Sequence, residues 1–169
     1  QEVRDHFNIP TGFSVVTCAT RVRRSKGVLQ YCELSNILKE SNIIFLLVGE
    51  YEEVKGDRLT DEELNFIKNS VSWVGYQDNV ENILGITDVL VHPTRYREGV
   101  PRILLEASRH QIPVIATDMP GCREVILNGV TGILVKPYDV QNMADQLNAM
   151  LASSEARKRI GHSLKEHVK

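Results

Sequence analysis

Two glutamates flank a Gly-Val-Pro turn in the segment VLVHPTRYREGVPRILLEASRHQIPVI, and their type and spacing are suited to chemistry. Glu98 precedes the turn, and Glu106 lies on the helix that Pro101 is expected to open, because proline is favoured at a first helical position. A helix N-terminus presents free N–H groups and partial positive charge to an anion. We therefore expect a phosphate-bearing ligand at this segment.

Glu106 stands within a mostly apolar helical stretch, ILLEA, so its carboxylate needs a partner if it is buried. At the rise of an α-helix it lies roughly 7 to 8 Å along the axis from Pro101, about the distance from a diphosphate to its ribose hydroxyls. This spacing suits a nucleoside diphosphate. The simpler alternative is a solvated carboxylate at Glu106 and an ordinary helix-terminus charge at Glu98, and the residue pattern leaves both possibilities open.

A second candidate site is the basic segment TRVRRSKG, which follows the first predicted strand. It holds four cations: Arg21, Arg23, Arg24 and Lys26. A guanidinium binds phosphate in a bidentate manner, an ammonium reaches it as a point charge, and Gly27 allows close backbone approach. The alternative is a solvated cluster or a nucleic-acid patch. Neither G-x-G-x-x-G nor the P-loop pattern occurs, so dinucleotide oxidoreductases and P-loop enzymes lack their fingerprints here.

The composition predicts a soluble globular chain, with 42% hydrophobic residues among 169. The net charge of −2 gives no general attraction to nucleic acid or to an anionic membrane. No apolar stretch approaches the ~20 residues of a membrane span, and the first residues do not resemble a signal peptide. The cytoplasm is the expected compartment.

Cysteine and histidine patterns point away from disulfides and metal sites. Cys18, Cys32 and Cys122 are widely spaced, which indicates reduced thiols, with Cys122 expected to be the more exposed. Histidine spacings match no zinc site, and no Asp-x-Asp pair suits a divalent cation. We therefore expect no metal, and we expect His92, at the end of a buried strand, to be structural.

Apolar runs and helical periods alternate along the chain, which is typical of βαβ units. The predicted fold is α/β, a Rossmann-like doubly wound parallel sheet of about six strands with helices on both faces. The predicted strands are 14–20, 43–48, 71–74, 88–91, 113–116 and 131–135. The predicted helices are 27–40, 61–69, 79–86, 101–110, 140–151 and 155–168, with a turn or short helix at 120–127. Residues 49–60 are expected to form a solvated loop without chemistry.

Several segments together resemble the donor-binding half of the family 4 retaining glycosyltransferases: Arg21-x4-Lys26-Gly27, LLVGE, REGVPRILLEA, PVIATDMPGCREVI and NGVTGILV. The resemblance covers residues 10 to 168. YREGVPRILLEA and ATDMPGCREVI further resemble bacterial members that add hexose or N-acetylhexosamine units to lipid-linked oligosaccharides for capsule, O-antigen or glycoprotein assembly. The family has the GT-B architecture, two facing Rossmann-like domains. The resemblance implies that residues 1–169 form one nucleotide-sugar-binding domain, without the N-terminal acceptor domain.

The resemblance also implies roles for single residues. Arg21 and Lys26 match the pair that neutralises the donor diphosphate, Glu106 matches the ribose ligand, and Glu98 matches a ligand of the transferred sugar. The turn of Gly99, Val100 and Pro101 would face the sugar and phosphates through its N–H groups, and Gly75 and Tyr76 would contact the base. Glu50 is a weaker candidate, and Arg102 is a clamp or a surface residue. The family usually has glycine where Thr20 and Gln111 stand, and a left-handed conformation at Gln111 would cost about 1 kcal/mol.

The implied function is transfer of a hexose or N-acetylhexosamine, with retention, from a nucleotide diphosphate sugar to a glycan or lipid-linked acceptor. UDP-sugar is the family-level expectation, with neither cofactor nor metal required and no nucleic acid as partner. The membrane would be reached only through the acceptor half, at the inner face of the cell membrane. The isolated chain is expected to bind donor but to transfer little.

Three alternatives remain open at this stage. A nucleotide-sugar 2-epimerase shares the architecture and also binds its donor with glutamates and cations. A non-catalytic nucleotide-sugar-binding module fits the chain as well as one half of an enzyme does. An α/β domain with no ligand site is the least specific interpretation.

Overall fold

A computed structural model describes all residues from Gln1 to Lys169. Its single sheet has six parallel strands in the order β3-β2-β1-β4-β5-β6. The strands are β1 (Ser14–Ala19), β2 (Ile43–Val48), β3 (Ser72–Gly75), β4 (Val89–His92), β5 (Val114–Thr117) and β6 (Ile133–Val135). This is the doubly wound Rossmann order, so the predicted fold class is confirmed.

The helices also follow the predicted order, with shifted ends. They are α1 (Glu2–His6), α2 (Val28–Ile37), α3 (Asp61–Ser70), α4 (Val80–Leu84), α5 (Arg102–Arg109), α6 (Pro120–Arg123), α7 (Val140–Ala152) and α8 (Ser154–Val168). Helix α1 and a 3₁₀ helix at Arg24–Lys26 were not predicted. Helix α3 begins with a capping box, in which Thr60 and Glu63 satisfy each other's backbone N–H groups. No helix combines the length and apolar character needed to cross a bilayer.

Apolar side chains cover both faces of the sheet. The central strands are buried on both sides, which explains their continuous apolar runs. The largest of three core clusters lies against α2, α3 and α7, and the second lies against α5 and α8. All three cysteines are buried, so the expectation that Cys122 would be exposed is wrong. Helix α6 turns it into the second core cluster, and burial raises the pKa of its thiol to about 12.

The two candidate segments meet at the carboxyl edge of the sheet, because β1 and β4 are neighbours there. Gly27 has a φ of +75°, and a Cβ at this position would lie 1.8 Å from the carbonyl oxygen of Pro93. Only glycine permits that approach. The backbone N–H of Arg95 also donates to the carbonyl of Ser25 at 2.8 Å. The basic loop and the Glu98 loop are therefore in direct backbone contact at the topological switch point, where open α/β sheets bind ligands.

Candidate functional site

Lys26 and Glu98 form an ion pair at this junction. The Nζ atom of Lys26 lies 3.1 Å from Oε2 of Glu98 and 4.9 Å from the centre of the Tyr96 ring. Lys26 is only 4% exposed, because the 3₁₀ turn at Arg24–Lys26 directs it inward rather than into solvent. The sequence suggested both residues as donor ligands, and the structure brings them together as partners of each other.

Glu98 is held in its charged form by two neighbours. The imidazole of His92, and then the ammonium of Lys26, lower the pKa of its carboxyl group to about 2, against the opposing effect of burial. The Nε2 atom of His92 lies 3.8 Å from Oε1, which is longer than a hydrogen bond. At neutral pH Glu98 is therefore a carboxylate, with the buried Nζ of Lys26 3.1 Å from it.

His92, which the sequence suggested only as a structural residue, lies beside Glu98 in this site. It is the last residue of β4, it is 4% exposed, and neither ring nitrogen has a hydrogen-bond partner. Oε1 of Glu98 is likewise buried without a hydrogen bond. The sequence did contain one indication that His92 belongs to a site. This residue follows the apolar run of a central strand, and ligand-binding residues of parallel sheets lie at such carboxyl ends.

Arg21 occupies an adjoining cleft and remains accessible. Its side chain is 63% exposed, and its guanidinium lies 3.3 Å from Oε2 of Glu52. The cleft encloses about 470 Å³. It is lined by Thr20, Arg21, Val48, Gly49, Glu50, Tyr51, Glu52, Tyr76 and Gln77. Lys26, the other proposed diphosphate ligand, is not among the residues that line it.

The other two cations of the basic loop have structural partners. Arg23 is buried within 3.5 Å of Glu52 and 3.9 Å of Asp57, and Arg24 forms an ion pair with Glu63. Asp57 also accepts from the backbone N–H of Ser25 at 2.7 Å. The segment 49–60 is therefore more than a solvated loop, because its acids Glu52 and Asp57 support the basic loop; Arg21 also pairs with Glu52 but stays exposed, so it remains a candidate for a ligand.

Gly75 and Tyr76 lie beside the same cleft, at the end of β3. The N–H of Gly49 donates to the carbonyl of Gly75 at 2.8 Å, and the indole of Trp73 donates to the carbonyl of Gly49 at 2.7 Å. These bonds hold the ends of β2 and β3 together and leave Tyr76 65% exposed. An exposed aromatic ring here is accessible for contact with a planar base.

Glu106 and the turn before α5 are also accessible to a ligand. Pro101 is the N-cap, with ψ of 123°, and α5 begins at Arg102, one residue later than predicted. Gly99 and Val100 are exposed, while Pro101 is buried. Glu106 is half-buried, and its carboxylate forms neither a hydrogen bond nor an ion pair in this structure. The exposed Arg102 likewise forms no ion pair, so the structure does not identify a clamp there.

Helix α6 packs against the backbone of the loop that carries Glu98. A Cβ at Gly121 would lie 2.2 Å from the carbonyl oxygen of Gly99 and 2.8 Å from that of Glu98. The hydroxyl of Thr117 donates to the carbonyl of Thr94 on the same loop. The segment ATDMPGCREVI therefore contributes to the site through backbone packing, by fixing the position of Glu98.

Comparison with known proteins identifies the family of this chain. Residues 1–167 match the family described as glycosyl transferases group 1. The chain belongs to this family. Among curated group 1 relatives, N-acetyl-alpha-D-glucosaminyl L-malate synthase of Bacillus anthracis is 31% identical over 148 residues, covering 88% of this chain and 38% of the relative. The capsular polysaccharide biosynthesis glycosyltransferase CapM of Staphylococcus aureus is 24% identical, covering 91% of this chain and 41% of the relative.

Solved structures of glycosyltransferases confirm the fold of this group 1 domain. Anabaena HepE in complex with UDP-glucose superposes with a TM-score of 0.86 at 20% identity, covering 99% of this chain and 46% of that one. The C-terminal domain of a group 1 protein, LpcC from Francisella tularensis, superposes with a TM-score of 0.79 at 23% identity, covering 99% and 90% of the two chains. The group 1 chain described here thus spans about two fifths of the length of its curated relatives and nearly all of an isolated C-terminal domain.

Proposed function

We propose that this chain binds a nucleotide diphosphate sugar as the donor domain of a retaining glycosyltransferase. The observation that carries the proposal is the Lys26–Glu98 pair at the carboxyl edge between β1 and β4. It places a cation for phosphate directly beside a carboxylate for sugar hydroxyls. Membership of the group 1 family supports the reaction class, and a relative solved with UDP-glucose supports UDP-sugar as the first donor to test.

In this proposal each part of the donor has its own ligands. Lys26 and Arg21 neutralise the diphosphate from two sides and stabilise it as it leaves, which is electrostatic catalysis and makes a metal ion unnecessary. Glu98 accepts from the sugar hydroxyls, with the N–H groups of Gly99 and Val100 nearby. Glu106 accepts from the ribose hydroxyls, which would satisfy its unpaired carboxylate.

The base is assigned to the cleft between β2 and β3. Tyr76 offers an exposed ring at this position, and Gly75 offers a backbone that no side chain obstructs. Glu50 also lines the cleft and is a further candidate ligand of the base or the ribose. Arg21 lines the same cleft, which brings a phosphate ligand next to the base ligands.

The acceptor is assigned to a second domain that faces the carboxyl edge of the sheet. A glycan or a lipid-linked oligosaccharide is proposed, with a hexose or N-acetylhexosamine transferred in the cytoplasm. A curated relative from Campylobacter jejuni, 26% identical, is named as an N-acetylgalactosaminyltransferase acting on a diphospho-undecaprenol sugar. Any membrane contact belongs to that second domain in this proposal. The 169 residues alone are then expected to bind donor and to transfer little sugar.

The proposal is tested by calorimetric titration of the chain with UDP-, GDP- and ADP-sugars, with and without EDTA. We expect one nucleotide class to bind in both conditions, and we expect Arg21→Ala and Glu106→Ala each to weaken binding about tenfold or more. Arg159→Ala and Glu155→Ala, at exposed positions on α8, are matched controls that should bind as the wild type does. Failure of every nucleotide to bind would refute the proposal, and 2-epimerisation of the donor without acceptor would favour the epimerase alternative.

A further inference from the structure

His92 and Glu98 face each other with unused hydrogen-bonding capacity. His92 is 4% exposed, neither of its ring nitrogens has a partner, and Oε1 of Glu98 is buried without a partner as well. Buried polar atoms are nearly always hydrogen-bonded, so two facing exceptions require an explanation. The atoms Nε2 and Oε1 are 3.8 Å apart. Closing this gap by roughly 0.8 Å would make an ordinary N–H···O bond.

Lys26 binds the other carboxylate oxygen of Glu98, with Nζ 3.1 Å from Oε2. A diphosphate that binds Lys26 competes for the same N–H donors, and Glu98 then loses its ammonium partner. A partly buried carboxylate without a partner is costly. A second hydrogen-bond donor within reach of Glu98 therefore becomes favourable.

His92 is well placed to be that hydrogen-bond donor. It belongs to the end of β4, where it is paired in register with Ala116 of β5, so the sheet holds its backbone in place. Lys26, in contrast, reaches Glu98 through a long side chain with several rotatable bonds. A partner on a rigid element orients a ligand group more precisely than one on a flexible stem.

We propose that His92 is a positioning residue for Glu98, which exchanges Lys26 for His92 when the donor binds. In the bound state Nε2–H of His92 donates to Oε1 and fixes the carboxylate, while Oε2 accepts from a hydroxyl of the transferred sugar. His92 itself does not contact the donor. This inference rests on the proposed function of the same site and adds a residue that acts on the sugar and not on the nucleotide.

The test compares the affinity for UDP with that for the UDP-sugar that the wild type binds, using calorimetry. The ratio of the two dissociation constants isolates the contribution of the sugar. In His92→Phe, which keeps a ring but loses the N–H, we expect UDP affinity to fall modestly, because the diphosphate alone draws Lys26 away from Glu98, and we expect the ratio to fall about tenfold. In His92→Gln, whose amide nitrogen can occupy the place of Nε2, we expect most of the ratio to return.

Other results would overturn the inference. An unchanged ratio in His92→Phe overturns the inference: if both affinities are unaltered, the imidazole does not position Glu98, and if both fall equally, its role is purely structural. Ser35→Ala, a buried and remote polar residue, controls for general loss of stability. If His92→Phe does not fold, ¹⁵N NMR of the wild-type imidazole is the alternative test. An Nε2 chemical shift that does not change when UDP-sugar is added refutes the exchange. If the wild type binds no nucleotide, the proposed function fails and this inference fails with it, whereas nucleotide binding with an unaltered ratio refutes the inference alone.

Discussion

Lys26 and Glu98 are 72 residues apart in the chain, yet Nζ and Oε2 lie 3.1 Å apart in the fold. The two loops that carry them meet because β1 and β4 are adjacent strands whose carboxyl ends share one edge. Lys26 and Glu98 therefore neutralise each other's charge. A donor has to replace this internal pair, so the strength of the pair influences both stability and affinity.

Breaking the Lys26–Glu98 pair should destabilise the fold from either side. Lys26→Met leaves Glu98 without its ammonium, and Glu98→Gln leaves the buried Lys26 facing a neutral amide, so we expect each to lower the free energy of unfolding by about 1 to 3 kcal/mol. The double variant should show a coupling of about 1 kcal/mol or more. Urea denaturation measures all three. The exposed Arg58–Glu53 pair, at 3.4 Å, is the matched control and should couple by less than about 1 kcal/mol. Equal coupling in the two pairs would contradict this prediction.

The pH dependence of stability should contain a contribution from Glu98. Its pKa is lowered from 4.5 to about 2 in the folded protein, so the folded state binds this proton more weakly than the unfolded chain. The stabilisation is fully present above pH 4.5 and is lost as the pH falls toward 2. After discounting for the exposed part of the side chain, we expect about 1 to 2 kcal/mol.

The measurement is the difference in unfolding free energy between wild type and Glu98→Gln across this acidic range. Taking the difference removes the contributions of Glu63, Asp118 and Glu166, whose pKa values are also lowered. The difference should shrink steadily as the pH falls. A constant difference would show that Glu98 is not preferentially stabilised as the anion.

Gly121→Ala should displace the loop that carries Glu98. The new Cβ would lie 2.2 Å from the carbonyl oxygen of Gly99, so one of the two backbones must move. Overpacking of this kind costs about 1 to 3 kcal/mol, and we expect the affinity for the sugar nucleotide to fall with the displacement of Glu98. Gly85→Ala is the control, because its nearest contact would be 3.4 Å and its φ of −61° suits alanine. Thermal unfolding and donor titration of both variants measure the difference, and similar behaviour would argue against the supporting role of α6.

Gln111→Gly should stabilise the chain. Gln111 lies just after α5 and has a φ of +56°, which is the left-handed conformation that favours glycine. The family usually has glycine at this position. Relief of this strain, offset by the greater freedom of glycine in the unfolded chain, should yield about 0.5 to 1 kcal/mol. Asn148→Gly, at an exposed helical position in α7, should instead destabilise by a similar amount. Chemical denaturation measures both, and a loss of stability in Gln111→Gly would show that the glutamine side chain has a role not visible in its contacts.

Much of this fold is encoded locally. Each central strand is a short apolar run between a turn and a segment of helical periodicity. Such a run predicts a buried strand of a parallel sheet, and this prediction does not depend on which strand lies beside it. The same local logic identified the basic loop, the Gly-Val-Pro turn and the left-handed position at Gln111. It misplaced helix ends by one to three residues, as at α2 and α5, because caps depend on contacts beyond the helix.

The pairing of charges was decided by tertiary structure alone. Of four similar cations in one loop, Arg23 and Arg24 pair with acids from segment 49–60 and from α3, Lys26 pairs with Glu98, and Arg21 pairs with Glu52 while staying exposed. His92 enters the site only because β4 lies beside β1 and the Glu98 loop folds back over it. The amino-acid sequence by itself determined which segments become strands and helices and which residue types are available at the edge of the sheet. Which of those residues face one another depends on strand order and loop packing, which are set by contacts between residues far apart in the chain.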